Sequence, residues 1–545
     1  MLLGQYDTAT EFYNEAIEMA RQRNDRLQEG ASLGNLGTLY RYRRQYEKAI
    51  ELHEQALAIA RETNNHRGEG MSLNNLGAVY QASKQPDKAI AFYEQSLSIS
   101  QEINDRRAEV HRLGRLGFIY SELGQGEIAI RFYHQGLAIA REINDRLGES
   151  SQLSYLGNVY RELGDYAKAI ALHEQALTIA RELKDPSIEG TYLGNLGNVY
   201  LALEQYDKAR ILLEDALAIA SELNQRGHEG VHRGNLGSVY AQQGQFEEAI
   251  VFFEEAIAIA RELEERRVEA NQLSNLGNTY RQLGQVEKAI EQFEEALAIA
   301  RDLKDRSGES YHLGNLGTAH FSLGAYTQAI EFYKEALDIF RERQNRLNEG
   351  KTLGHIGMAY AALNQDEKAI EFYEQALDIA RALNDAWNEG VYLVNLGNTY
   401  RDIGAYQQSV DYLVAAAHHF GKTQPHYVDA VNDLLGTTYD TACWQSSLNG
   451  TPDIALPYCE QAVEHDPEVY LYRKSRGLTY ALLGETEKAI ADFQWVVDGL
   501  SHADHADIEP EMQRDLKDYQ TWLDTLKAGE NPFTDAVLQR LRNTD

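Results

Sequence analysis

Residues 33–40, Leu-Gly-Asn-Leu-Gly-Thr-Leu-Tyr, decide the fold of this chain because their pattern returns every 40 residues. The first five positions recur closely at 73–77, 193–197, 313–317 and 393–397. Glycine holds the position of Gly37 in all ten units, and tyrosine holds that of Tyr40 in every unit except the one with His320. The chain is therefore built from a strict 40-residue repeat, and not from the three or four ordinary domains that its 545 residues would suggest.

Each repeat predicts two amphipathic helices. Apolar residues at helical spacing form one stripe over Leu33, Leu36 and Tyr40, and a second stripe runs from Tyr46 to Ala60. We therefore expect helix A over about residues 26–43 and helix B over about residues 46–63 of the first full unit. An aspartate typical of an N-cap precedes helix A at Asp25, Asp105, Asp145, Asp185 and Asp305.

Charged residues also recur at the helix ends. A glutamate stands four residues after the capping position in all ten units, from Glu29 to Glu389. Arginines such as Arg61 and Arg181 stand near the end of helix B. Acidic residues near a helix N-terminus and basic residues near its C-terminus complement the helix dipole, so we expect both sets to stabilise their own helices.

The pattern of Leu-Gly, then Tyr40, Ala49 nine residues later and Ala56 seven after that, resembles the tetratricopeptide repeat. The usual unit has about 34 residues and ends in proline, whereas Arg61 stands there in this longer unit. The 40-residue variety is similar to the repeats of the Partner-of-Inscuteable spindle-orientation adaptors and, more loosely, of kinesin light chain. The resemblance covers about residues 2–425. It implies an all-α, right-handed superhelical solenoid of antiparallel helix pairs, whose A helices line a concave peptide groove.

The two ends of the chain differ from the array. Leu3-Gly4-Gln5-Tyr6 corresponds to the turn at 163–166, so the first unit lacks helix A. Its helix B carries Tyr6, Ala9, Phe12, Ala16 and Ile17 like an interior unit. We expect either that the chain is a piece of a longer protein or that a neighbour covers this face, and end-to-end self-association is one way to cover it.

The register ends after Ala417, and six of the eight prolines lie beyond it. We predict two divergent repeats over 426–500 and capping helices over 501–545. This tail resembles the C-terminal regions of large bacterial multidomain proteins, in which similar tails follow signal-sensing NTPase or protease-like modules.

Composition excludes several classes of protein. A formal net charge of −32 opposes binding to nucleic acid or to anionic membranes. The chain has no long apolar segment and no signal-peptide pattern, so we expect a cytoplasmic protein. Cys443 and Cys459 are too few for a disulfide framework, and we expect small buried thiols in a reducing compartment.

Signals of catalysis are absent from the sequence. There is no G-x-x-x-x-G-K-[ST], H-E-x-x-H or G-x-S-x-G motif, and the spacing of the cysteines matches no zinc pattern. We therefore expect no enzyme activity, no catalytic residue, no metal and no cofactor.

The candidate binding residues lie on helix A. Beside a position that is mostly glycine or serine, and so leaves room for a ligand backbone, stands a first column of asparagines, with a second column one turn later. An amide can both donate to and accept from any peptide unit, which suits an extended ligand. The alternative is a structural ladder that satisfies neighbouring helices. The first column is Asn35, Asn75, Asn195, Asn235, Asn275, Asn315 and Asn395, and the second is Asn158, Asn198, Asn278 and Asn398.

Arginines add positive charge to the same wall at every third unit. Arg41, Arg161, Arg281 and Arg401 share one position, and Arg115, Lys351, His111 and His355 accompany them. Glu122, Glu162 and Asp402 oppose them, so the wall is positive while the chain as a whole is strongly acidic. This contrast favours an acidic or polar peptide. The alternative is that these arginines pair on the surface with the acidic residue that follows them.

The sequence thus predicts a non-catalytic scaffold that binds an extended protein segment, polar or acidic, in the concave groove. The alternative function is a ligand-sensing arm of a larger bacterial signalling protein.

Overall fold

The computed structural model describes the backbone of residues 2–502 and 510–544, and the side chains of residues 7–501 and 515–543. All regular secondary structure in these ranges is helical, which confirms the all-α fold class. The chain forms two compact units, residues 1–279 and 280–545, here called unit 1 and unit 2. No helix in the described ranges is both long and apolar enough to span a bilayer.

Unit 1 contains α1 (Leu2–Gln22), α2 (Arg26–Tyr42), α3 (Tyr46–Glu62), α4 (His66–Ala82), α5 (Pro86–Glu102), α6 (Arg106–Glu122), α7 (Gly126–Glu142), α8 (Arg146–Glu162), α9 (Tyr166–Leu183), α10 (Pro186–Ala202), α11 (Tyr206–Glu222), α12 (Arg226–Gln242), α13 (Phe246–Glu262) and most of α14 (Arg266–Gln282).

Unit 2 continues with α15 (Val286–Asp302), α16 (Arg306–Ser322), α17 (Tyr326–Glu342), α18 (Arg346–Ala362), α19 (Asp366–Leu383), α20 (Ala386–Asp402), α21 (Tyr406–Thr423), a short 3-10 turn (Pro425–Tyr427), α22 (Val428–Leu448), α23 (Pro452–His465), α24 (Tyr470–Leu482), α25 (Thr486–His502), α26 (Pro510–Lys527) and α27 (Asp535–Thr544). The even-numbered helices α2 to α20 are the A helices of the repeats, and the odd-numbered helices α3 to α21 are the B helices.

Short links fix the antiparallel pairing. The link between α1 and α2 ends one helix and starts the next within three residues. Asn24 adopts φ +55°, and the amide of Asp25 donates to the carbonyl of Ala20 at 2.8 Å, as in a Schellman motif. The Asp25 carboxylate then accepts from the amide of Gln28 at 3.0 Å. A positive φ recurs every 20 residues up to Gly404, so the predicted helix bounds hold to within one or two residues.

The repeated glycine lets helices A and B of one unit pack closely. A Cβ added at Gly117 would lie 2.6 Å from the Tyr133 ring, which is 1% exposed. The alanines of helix B are equally buried, with Ala49 and Ala89 at 0% exposure. The glycine position is therefore a requirement of packing, as is the smallness of the alanine position.

Two glycines of α16 should respond oppositely to alanine. A Cβ at Gly314 meets no atom within 4 Å, whereas a Cβ at Gly317 would lie 2.6 Å from the buried Tyr333 ring. We expect Gly314→Ala to stabilise the protein by about 0.5–1 kcal/mol through helix propensity. Gly317→Ala should destabilise it by about 1–3 kcal/mol through overpacking. Urea unfolding of both variants measures the difference, and the reverse order would contradict this packing.

In six of the ten units the recurring aromatic ring stacks on a ring of helix B of the same unit. Tyr80 stacks on Phe92 with ring centroids 5.3 Å apart, and His320, the exception in the sequence, stacks on Phe332 at 5.2 Å. These half-buried rings hold helices A and B of one unit together.

The glutamates and arginines at the helix ends bind each other. Arg141, at the end of α7, donates through Nε to Glu149 Oε1 at 2.8 Å, and Arg146 donates to Oε2 at 2.5 Å. Burial raises the pKa of Glu149, but these hydrogen bonds outweigh burial and hold the pKa below its ordinary value. The sequence had suggested only helix-dipole roles. The same pair joins Arg21 to Glu29, Arg61 to Glu69, Arg181 to Glu189, Arg261 to Glu269, Arg301 to Glu309, Arg341 to Glu349 and Arg381 to Glu389.

Two histidines take the place of the packed aromatic ring. His53 and His173 are 0% exposed, and neither ring nitrogen of either residue has a hydrogen-bond partner within the described chain. Burial, assisted by the positive charges of Arg41 and Arg161 respectively, lowers the pKa of both imidazoles to about 4. Both rings are therefore neutral parts of the core.

The two cysteines form a disulfide, which corrects the expectation of free thiols. Cys443 on α22 bonds to Cys459 on α23, and both residues are 0% exposed, so only their burial was predicted correctly. The pairing was missed because α22 and α23 bring the two residues together only in the folded hairpin. Because the two cysteines are paired, they do not indicate a reducing compartment.

The last two helices cover the apolar surface of the preceding pair. Trp522 of α26 packs on Phe493 of α25 at 5.7 Å, and Phe533 packs on both rings. Asn531 donates to the carbonyl of Ala481 at 3.0 Å. The division into an array over 2–425, divergent repeats over 426–500 and capping helices over 501–545 remains a proposal. Its residues 503–509 lie outside the described ranges.

The first helix exposes part of its apolar surface. Phe12 is 67% exposed, whereas Ile17 is 5% exposed, and the side chain of Tyr6 lies outside the described residues. End-to-end self-association through this helix stays a prediction.

Candidate functional site

Successive A helices pack directly on one another in parts of each unit. Direct contacts join α2 to α4, α6 to α8, α8 to α10 and α10 to α12 in unit 1, and α18 to α20 in unit 2. The predicted ligand positions lie on this surface, which we call the A-helix wall. It comprises the residues equivalent to 31, 34, 35, 38, 41 and 42 in every repeat.

Most amides of the first column are free of protein partners. Asn195 donates to Ser154 Oγ at 3.1 Å, and Asn275 bonds weakly to Gln272 at 3.4 Å. Within the described residues, no side-chain hydrogen bond holds the other five, Asn35, Asn75, Asn235, Asn315 and Asn395, and the Nδ2 atom of Asn315 is buried without a partner. A continuous structural ladder is therefore not formed, and a role in ligand binding stays a prediction.

The second column is similar. Asn158, Asn198, Asn278 and Asn398 are half-buried, and none has a side-chain hydrogen bond in the described part of the chain. Oδ1 of Asn398 is buried and unpartnered. Their unused hydrogen-bonding capacity is compatible with a ligand.

The small residues beside the first column do not leave the space that the sequence suggested. At Gly194 a Cβ would lie 2.5 Å from His232, and at Gly354 it would lie 2.5 Å from Tyr392. In both cases the next A helix fills the gap. Gly34 and Gly314 alone among these glycines have nothing within 4 Å in the described structure. The residues at this position are small chiefly because successive A helices pack against them. The sequence of a single repeat does not reveal this contact.

The arginines at every third unit split into two groups. Arg161 lies 3.7 Å from Glu162 and Arg401 lies 3.4 Å from Asp402, which is the surface pairing that the sequence left open. Arg41 stacks on the Tyr42 ring at 4.4 Å. Arg281 forms no ion pair with any described residue. Free positive charge on this column is therefore concentrated on Arg41 and Arg281.

Three adjoining cavities lie along the A helices of unit 1, and the first two also include residues of the B helices α3 and α5. The first, of about 380 Å³, includes Gly34, Asn35 and Asn75. The second, of about 290 Å³, shares Arg67 and Met71 with the first. This sequence of cavities runs along α2, α4, α6 and α8, and so gives unit 1 an extended concave surface.

The third cavity has a volume of about 490 Å³ and shares Arg107 and His111 with the second. It lies between α6 and α8 and is lined by Phe118, Tyr155 and Arg115 among others. Sequence reasoning placed Arg115 on the wall but did not identify the cavity. The available signal was the break in the asparagine column, where Arg115 and Tyr155 replace asparagine in two successive units.

No group of three or more His, Cys, Asp or Glu side chains in the described ranges is arranged to hold a metal ion.

Comparison with known proteins agrees with this architecture. The sequence profile of the tetratricopeptide repeat matches in ten overlapping segments: residues 1–62, 31–102, 68–142, 106–182, 149–222, 187–262, 228–302, 268–342, 309–382 and 348–417. No curated protein sequence matches the chain.

Among solved structures, BtubC (BKLC) from P. vanneervenii is 27% identical, with 40% of this chain and 91% of that chain covered and a TM-score of 0.36. A putative kinesin light chain with nearly identical repeats from Podosopora anserina is 23% identical, with 35% and 95% covered and a TM-score of 0.31.

The signal transduction ATPase PH0952 from Pyrococcus horikoshii, which has a tetratricopeptide repeat sensor, is 18% identical with a TM-score of 0.50. The match covers 67% of this chain but only 54% of that one, and it shows likeness of fold. Because the repeat profile spans residues 1–417 with the helix pairs described above, the chain belongs to the tetratricopeptide repeat family.

Proposed function

We propose that this protein is a non-catalytic scaffold that binds an extended polypeptide segment along the A-helix wall. Tetratricopeptide repeats mediate protein–protein interaction, and the wall supplies a specific surface for it. The observation that carries the proposal is the sequence of three adjoining cavities in unit 1. Surfaces of this concave kind favour chains that lie extended and contact several repeats in turn.

Free amides support a ligand of varied sequence. Asn35 and Asn75 line the first cavity, and neither makes a side-chain hydrogen bond within the described chain. Gly34 beside them has an open approach. A ligand backbone at this point could receive one hydrogen bond from each amide and donate one in return.

Charge supports an acidic or polar ligand. Four arginines line the second and third cavities, namely Arg67, Arg107, Arg112 and Arg115. Asp105 and Asp145 pair with Arg67 and Arg107, so the other two carry the excess positive charge. The chain as a whole carries −32. A positive groove on a negative protein orients an acidic segment toward the groove during association.

Peptide selection tests this function. A phage library of random 12-residue peptides would be panned on the full chain, and the selected peptides would be measured by fluorescence anisotropy. We expect Asn35→Ala combined with Asn75→Ala to weaken binding about tenfold to thirtyfold, since each lost hydrogen bond is worth about 1 kcal/mol.

The matched control is Gln95→Ala combined with Gln135→Ala, which removes two exposed amides from the B helices α5 and α7. It should leave the affinity unchanged. The proposal fails if the library yields no binding peptide, or if the B-helix pair weakens binding and the A-helix pair does not.

A further inference from the structure

The wall of unit 1 departs from its asparagine column at the third cavity. Arg115 of α6 and Tyr155 of α8 stand where neighbouring repeats have asparagine, and Phe118 stands in the second column. All three line the cavity of about 490 Å³, which is the largest of the three along this wall. The two successive exceptions in the repeat thus define one site, and its chemistry differs from that of the amide surface around it.

Large apolar side chains are exposed around this cavity. Phe118 is 43% exposed, Tyr155 is 39% exposed and Leu147 is 51% exposed. Tyr155 is fixed from behind by the buried Tyr133, with ring centroids 5.3 Å apart. Exposed apolar groups that surround a concavity mark binding sites. The exposed ring of Tyr155 can pair with an aromatic ring of a ligand.

The floor of the cavity is preformed. Gln152 is 2% exposed and donates to the carbonyl of Val110 at 3.2 Å, and both residues line the cavity. Gly136 of α7 makes room for this side chain, because a Cβ there would lie 3.0 Å from Gln152. The other repeats have alanine or serine at the position of Gly136. The sequence therefore changes on a second helix to keep this floor in place.

One of the two arginines at the cavity is available to a ligand. Arg107 lies 3.3 Å from the Asp145 carboxylate and is occupied. Arg115 is exposed, and no carboxylate among the described residues pairs with it. An unpaired guanidinium beside an apolar cavity is complementary to a carboxylate that follows an apolar group.

We propose that the third cavity is an anchor site for one aromatic side chain of the bound polypeptide, with Arg115 pairing to a carboxylate one or two residues away. This inference rests on the proposed function and specifies its ligand as a segment in which Trp, Tyr or Phe stands next to Asp or Glu. Phe118, Tyr155 and Leu147 contact the ring, Gln152 supports it from below, and Arg115 selects the acidic neighbour.

The peptide library described above provides the probes. We expect selected peptides to be enriched in an aromatic residue one or two positions from an acidic one. For one such peptide and its Glu→Gln or Asp→Asn counterpart, Arg115→Asn should weaken binding of the acidic form about tenfold to a hundredfold. It should change binding of the amide form less than about twofold. Tyr155→Asn and Phe118→Thr should weaken both forms alike.

These substitutions use residues that the array itself has at equivalent positions, namely Asn35, Asn75 and Thr38, so the variants should fold. The inference is overturned if Arg115→Asn affects both forms of the peptide equally or neither, or if the selected peptides lack an aromatic residue. If such peptides still depend on Asn35 and Asn75, the proposed function stands without the anchor site. If Arg115→Asn changes the sedimentation of the chain alone, a second copy occupies the site and the inference fails.

Discussion

Acidification from pH 7 to pH 5 is expected to destabilise the repeats that contain His53 and His173 by about 2 kcal/mol for each histidine. Both imidazoles are buried, and their pKa is lowered to about 4 from the ordinary 6.5. The unfolded chain therefore binds protons before the folded chain does as the pH falls. The stability is complete above pH 6.5, declines between pH 6.5 and pH 4, and falls no further through these groups below pH 4.

Two other repeats have leucine at the position of these histidines, which suggests a substitution that removes the acid sensitivity. Leu213 and Leu413 stand where His53 and His173 stand, each packed against the repeated glycine with 0% exposure. We expect the variant with His53→Leu and His173→Leu to lose about 4 kcal/mol less than the natural sequence between pH 7 and pH 5. It should be at least as stable at pH 7, because it removes ring nitrogens that have no partner.

Hydrogen exchange resolved by peptide is the appropriate measurement, because a repeat array need not unfold in one step. Exchange from α3 and α9 should accelerate at pH 5, after correction for the intrinsic rate, and the leucine variant should suppress this. Helices α5 and α7 carry Tyr93 and Tyr133 at the same position and serve as the internal control. Equal acid sensitivity in all four helices would contradict the assignment to the histidines.

The parts of the fold that the sequence predicted are those decided within one repeat. Helix bounds, the half-buried tyrosine position and the buried alanine positions depend on residues at most about 20 positions apart, and all were predictable. The predicted aspartate caps form at Asp25, Asp105, Asp145 and Asp185, whereas Asp305 makes no side-chain capping hydrogen bond. The pairing of Arg141 with Glu149 crosses a link between helices. It was not predicted because the two residues approach only after the left-handed turn at Asn144 reverses the chain.

The candidate site was predictable only in part, because it depends on contacts between repeats. The sequence identified the wall and its amides, but it treated Gly194 and Gly354 as open space that His232 and Tyr392 in fact fill. It also treated Arg115 as one charge among several. The column of asparagines is interrupted at Arg115 and Tyr155. These two residues line the largest of the three cavities, so the interruption of the repeat pattern indicated the site better than the pattern itself.

Reduction of the disulfide between Cys443 and Cys459 is expected to destabilise the α22–α23 hairpin by about 3 kcal/mol. The bond joins residues 16 positions apart in the sequence. Closing a loop of this length lowers the conformational entropy of the unfolded chain, which stabilises the folded state by about 3 kcal/mol. Both cysteines are 0% exposed, so a reductant should reach them only when the hairpin opens. Native protein treated with a thiol reagent should therefore react slowly, and the loss of stability should be confined to α22, α23 and the helices packed on them.

The control is the variant with Cys443→Ala and Cys459→Ala, which should unfold at one urea concentration whether or not dithiothreitol is present. The natural sequence should unfold at a higher concentration without dithiothreitol and near that of the variant with it. Thiol titration in denaturant should count no free thiol before reduction and two afterwards. Two thiols in protein prepared under air would contradict the disulfide. A bond between α22 and α23 would make the helices after the regular array the part of this protein that responds to the redox conditions around it.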